Sequence, residues 1–190
     1  LGRSEDLYYR YERALQRAAV VRRVSCPPPV DRLLNGDRDR LRETLVRLED
    51  RELVASRLSS SIAGEPEFIY KHVLTREVAY ESLPRRERAD AHAAVALWIE
   101  ETSGERSREF LELLAYHYLE AYEASREHPD RVKTEGLRRR AFETMLDVAD
   151  EARRRFAIGK AAATMDRALT LTDDPRERIA ALELKGLVAR

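Results

Sequence analysis

One stretch constrains the fold of this chain more than any other: Phe68-Ile-Tyr-Lys-His-Val-Leu-Thr-Arg-Glu-Val-Ala-Tyr-Glu-Ser-Leu83, where the side-chain pattern changes period part-way along. Phe68, Ile69 and Tyr70 are strand formers, whereas Val73, Leu74, Val78, Ala79 and Leu83 recur at the three-to-four spacing of a helix with one buried face. A strand must therefore hand over to a helix close to His72. Pro84 ends that helix or bends the chain into the next one.

The residues upstream supply what such a strand needs. Ser4 is placed to cap a helix running to about Val21, with Leu7, Tyr11, Leu15, Ala18 and Ala19 on one face and Arg10, Glu12, Arg13 and Arg17 on the others. Pro27-Pro28-Pro29 stops it. A short helix is predicted over Val30 to Leu34, closing at Asn35-Gly36, and Asp37 then caps a third helix with Leu41, Leu45 and Leu48 as its buried stripe. Leu53-Val54-Ala55 reads as a strand, 59–66 as a polar loop, and Glu67 to Tyr70 as the partner strand. Helix, helix, helix, strand, loop, strand is the order of a winged helix, with a small two-stranded β wing and residues 72 to 83 as a further helix behind it. We assign it to residues 1–84.

Residues 85–190 carry no strand pattern, so the fold class expected is mainly α: a winged helix followed by an α-helical array. Ala89, His92, Ala93, Ala96, Leu97 and Ile99 fit one long helix anchored by Trp98, and Phe110, Leu111, Leu114, His117, Tyr118 and Ala121 fit the next. Glu127-His128-Pro129-Asp130 breaks the chain, and Asp130 can cap a helix extending to about Phe156. Small residues at Ala149 and Ala152, a turn near Ile158-Gly159, then Ala161, Met165, Ala168 and Pro175 resemble a tetratricopeptide-type helix pair. A second pair starts at Arg176, with Gly186 and Ala189 repeating the small positions, so the repeats are clearest in 136–190. Such pairs cannot bury their faces alone and should expose apolar surface where the array stops.

Composition narrows the chemistry. The 35 basic and 35 acidic residues give a net charge of zero, which argues against a general polyanion or membrane-surface binder while leaving room for local patches. A single cysteine, Cys26, cannot form an internal disulfide, and no run is apolar enough to span a membrane, so a cytoplasmic location is expected. The chain begins at Leu1, and its last helical pattern runs to Arg190 without a cap; both read as a fragment of a longer protein. No phosphate-binding loop, dinucleotide fingerprint or nucleophile elbow occurs, and His72, His92, His117 and His128 stand apart with no metal-ligand spacing. No catalytic and no metal residue is assigned, and the fragment is read as non-enzymatic with no cofactor of its own. In the predicted third helix Arg38, Arg40, Arg42, Arg47 and Arg51 alternate with Asp37, Asp39, Glu43, Glu49, Asp50 and Glu52, so its field largely cancels and nucleic acid is not the expected ligand.

Leu15-Gln-Arg-Ala-Ala-Val-Val, Leu45-Val-Arg-Leu-Glu-Asp-Arg-Glu-Leu-Val54, the run 68–83 and Leu114-Ala-Tyr-His-Tyr118 together resemble the region just after the ATPase core in bacterial signal-transduction ATPases of the STAND class. In those proteins an ATPase module is followed by a winged helix and tetratricopeptide repeats, often coupled to a nucleotide cyclase or a LuxR-type DNA-binding domain. The likeness covers about residues 11 to 190 and implies a regulatory, protein-interaction role relaying ATP or ADP state. The ATPase module of the same chain, with ADP or ATP and Mg, and a protein or small-molecule inducer on the repeats would be the partners. It also implies a role for His72, which matches a histidine that reaches the phosphates of ADP in a Met-His-Asp-like motif and holds the inactive state. Read without the likeness, His72 caps its helix or packs on Tyr70 and Arg76. The rival function is a winged-helix DNA-binding transcriptional regulator.

Overall fold

The computed structural model describes residues 2–21, 30, 33, 38–57, 67–104 and 107–188. Among them are eight helices and one sheet: α1 (Gly2–Val20), α2 (Arg38–Asp50), β1 (Val54–Arg57), β2 (Glu67–Tyr70), α3 (Val73–Glu81), α4 (Arg85–Ser103), α5 (Ser107–Ser125), α6 (Arg131–Arg154), α7 (Ile158–Leu169) and α8 (Pro175–Val188). The chain is therefore mainly helical with a small two-stranded sheet, as the periodicity predicts. Cys26, the loop over 59–66, Ala189 and all of the short helix expected over 30–34 except Val30 and Leu33 lie outside the described residues. Contacts divide the chain into two compact units, Leu1–Val95 and Ala96–Arg190. The sequence places its division at 84/85; the first eleven residues of α4 group with the first unit, within which Tyr80 and His92 bind each other.

In the first unit the predicted stripe of α2 is the core. Leu41, Leu45 and Leu48 are buried with Tyr11, Ala14 and Ala18 of α1, Val30, Val54 and Phe68, and Leu15, Val21, Leu53, Ile69 and Tyr70 close its edges. Each leucine so buried contributes about 2 kcal/mol of transfer free energy. The strands run antiparallel with Val54 opposite Tyr70 and Arg57 opposite Glu67, which sends Val54 and Phe68 inward. Tyr70 fastens the sheet to α1: its phenol donates to the Leu15 carbonyl, and burial holds its ionisation well above the usual range. Arg57 and Ser56 face solvent, and the Glu49 carboxylate accepts from both the backbone N–H and the hydroxyl of Ser56, which lowers its pKa.

α2 turns into β1 through a left-handed residue that is not glycine. Glu52 has φ 61°, the Glu52 N–H returns to the Glu49 carbonyl at 2.8 Å and the Leu53 N–H to the Leu48 carbonyl at 3.0 Å. That is the paired ending of a Schellman motif, and Leu53 and Leu48 supply its apolar contact in the core.

In the second unit α5, α6, α7 and α8 pack successively, each on its neighbour in the chain. Asp130 caps α6 as its sequence predicts, accepting from the Lys133 N–H at 3.0 Å, and the Thr134 hydroxyl donates back to the Ser125 carbonyl at the end of α5, also at 3.0 Å. The small residues do what their size allows: Ala149, Ala152 and Ala161 are buried around Met165, bringing α6 and α7 close together. The turn expected at Ile158-Gly159 falls earlier. Phe156 takes the left-handed conformation at φ 57°, with Phe156 N–H on Arg153 O and Ala157 N–H on Ala152 O, so Ile158 and Gly159 already belong to α7. Arg138 ties α6 to α8, bonding Glu177 at 2.7 and 3.0 Å and Glu135 at 2.7 Å, with the Leu171 carbonyl at 3.4 Å. Arg140 grips Glu100 at 2.6 and 2.7 Å and lies over the Tyr118 ring; burial and then the Glu100 carboxylate push that phenol up to about 12.

Candidate functional site

The handover from β2 to α3 leaves a helix end open. After Tyr70 the Lys71 N–H still bonds the Leu53 carbonyl at 3.2 Å, continuing the sheet, and Lys71 Nζ pairs with Glu52 at 3.1 Å. His72 is the N-cap, extended at φ −128° and ψ 131°; its carbonyl accepts from Thr75 and Arg76, but its imidazole makes no capping bond. The expectation that His72 caps the helix through its side chain is therefore not met: the backbone has the extended form of an N-cap, but the ring is exposed and makes no bond to the first turn. No acidic residue stands in the first turn of α3, so the positive end of its dipole has no local compensation.

The outer face of α3 is apolar where a free-standing helix would be polar. Val73, Leu74 and Val78 are 65%, 69% and 68% exposed, and in this helix only Ala79 is buried. Between α3 and α1 lies an open groove of about 710 Å³, floored by Leu48 and Leu53 and walled by Leu15, Leu74, Val78 and Tyr8. Its polar fixtures are spoken for: Gln16 donates to Glu12 at 3.2 Å and to Ser82 at 3.0 Å, and the Arg51 guanidinium lies 4.7 Å from the Tyr11 ring centroid.

One turn along α3 from His72, Arg76 begins a second constellation. Its guanidinium carbon lies 5.9 Å from the centroid of Tyr80, and that of Arg88 in α4 lies 5.3 Å from the same centroid. The Tyr80 hydroxyl meets Nε2 of buried His92 at 3.0 Å, with the rings edge to face. Arg17 of α1 pairs with Glu87 at 2.8 Å nearby in the chain. Sequence reasoning misses this group, although Arg76 to Tyr80 and Arg88 to His92 are both four residues apart on a helix and hence neighbours on one face.

The other histidines are placed apart. His92 and His117 are fully buried, and His128 Nδ1 accepts from the Asp130 N–H at 3.0 Å in the α5–α6 turn. Among the described residues no group of histidine, cysteine and carboxylates is arranged to hold a metal ion. No described helix is long and apolar enough to cross a membrane. On α2, Arg47 is bound to Glu43 at 2.7 Å and Arg51 is stacked on Tyr11, while Arg42 is exposed. The side chains of Arg38 and Arg40 lie outside the described residues. No protein-family model, characterised protein or solved structure matches this chain.

Proposed function

We propose that the chain is a non-catalytic regulatory and protein-interaction part of a nucleotide-switch signalling ATPase of the STAND class. Residues 1–84 act in it as a winged helix that docks on the ATPase module, and 85–190 as a tetratricopeptide-like array that receives an inducer. Nucleotide and Mg belong to the module; what this chain adds is His72, presented to the ADP phosphates in the closed state and withdrawn when the state changes. The observation that carries the reading is α3 itself: an exposed imidazole at an uncompensated helix N-terminus, beside three exposed aliphatic side chains that a partner surface would cover. An imidazole donor and a helix dipole both favour a nearby anion, and the aliphatic face supplies the burial that brings it there.

The test is made on the full-length ATPase. Replacing His72 by Ala is expected to weaken ADP affinity about tenfold, the worth of one charge-assisted hydrogen bond, and to raise basal signalling. Unchanged ADP affinity and unchanged signalling would make the histidine structural. Tight, salt-sensitive DNA binding lost on replacing Arg40 and Arg42 by Ala would favour the DNA-binding regulator instead.

A further inference from the structure

We propose that the corner between α3 and α4 is a phosphate-binding site in its own right, formed by the guanidinium groups of Arg76 and Arg88 on either helix and held in place by Tyr80. Both guanidinium carbons lie within 5.9 Å of one ring centroid, so two positive charges from different helices are gathered on a single side chain. Neither has a carboxylate partner among the described residues. Two other partly buried arginines differ from them. Arg17 and Arg138, the arginine side chains at 12% and 13% exposure, are each neutralised at 2.8 and 2.7 Å. Glu87, the acidic neighbour of Arg88, is already taken by Arg17.

The two groups are also set up to receive a ligand. Nε of Arg76 and Nε of Arg88, like Nε of Arg17, are buried with no hydrogen-bond acceptor, which leaves two charged donors at this corner unsatisfied. Both guanidinium groups are thus gathered near the ring, on side chains of intermediate exposure. Tyr80 is fixed in turn by His92, so the ordering of two flexible side chains has occurred before any ligand arrives. A carboxylate would balance one of the two charges. A phosphate group carries about two near neutral pH and offers several oxygens to guanidinium forks, so a phosphate is the anion that fits.

The inference does not rest on the role proposed for His72. Inorganic phosphate is titrated into the whole chain at about pH 8, where it is mostly dianionic, with chloride holding the ionic strength constant, and the arginine Nε–H resonances are followed by NMR. The expected result is a saturable shift of the Arg76 and Arg88 signals, weakened about tenfold by Arg76→Gln or Arg88→Gln and left unchanged by His72→Ala. Arg76→Lys and Arg88→Lys keep the charge but lose the fork; each is expected to weaken phosphate binding while leaving the melting temperature near that of the parent, which separates loss of the site from loss of the fold. ADP titrated in parallel identifies the source of the phosphate: affinity equal to that of inorganic phosphate means the group alone is read, and tighter binding means a nucleotide supplies it. A response to both anions no larger than to chloride, or one that survives loss of both guanidinium forks, overturns the site.

Discussion

Phe156 holds a backbone conformation that costs an L-residue about 1 kcal/mol or more, and its ring is 87% exposed, so no burial offsets the cost. The turn itself is sound: both Schellman hydrogen bonds form, at 3.0 and 2.8 Å. Phe156→Gly should therefore raise stability by about 0.5–1 kcal/mol in urea unfolding, the gain at the turn exceeding the added freedom of glycine in the unfolded chain. Glu52 occupies the equivalent position after α2. These two residues also explain where sequence reading fails at this scale. A left-handed ending is recognised by its glycine, and here Glu and Phe stand in the glycine's place; Gly159 attracts the assignment and belongs to the next helix. Asp130 is the opposite case, a cap whose chemistry is written in the residue and whose bond forms as expected.

Among elements, α3 and α8 are held by different physics. α8 is tied to α6 through the partly buried Arg138–Glu177 pair, and the Arg138 guanidinium holds the Glu177 carboxyl below its ordinary 4.5. A depressed folded-state pKa adds stability that is fully present above the unfolded value and disappears as pH falls through the folded one. Glu177→Gln should thus cost about 2 kcal/mol at neutral pH, and the gap between parent and variant should close as acidification passes below the ordinary 4.5 and through the lower folded value. A gap that persists in acid would show that the ion pair is not its source. α3, by contrast, leaves Leu74 and Val78 mostly exposed, so Leu74→Ser and Val78→Ser should change the stability of the chain alone by no more than about 0.5 kcal/mol. On the proposed function, the same changes should weaken docking to the proposed ATPase module by about tenfold or more, read by co-purification or interferometry. Existence and type of both helices were legible from their periods. The exposure of α3's apolar face was not, because Val73, Leu74 and Val78 read as core by spacing alone; spacing shows that a face will be covered, not that the covering surface lies in the same unit.

Across the whole molecule the sequence makes the mainly helical class, the antiparallel pair β1–β2 and the buried stripe of α2 readable, since each depends on local period and on residues that pack where they point. The Arg76–Tyr80–Arg88 group was hidden because it needs the turn between α3 and α4 to bring two helices to one corner, and helical spacing shows only which residues share a face of one helix. Its emergence beside His72 gives the first unit two features that favour anions, and the apolar face of α3 gives it a place for a partner to rest. Hydrogen exchange across 73–78 in the proposed full-length ATPase tests the central claim most directly. With ADP bound, the amides of α3 should exchange at least about tenfold more slowly than with ATP bound, because in the proposed switch the helix is covered in the closed state and released in the open one. Equal exchange in the two nucleotide states would contradict the account.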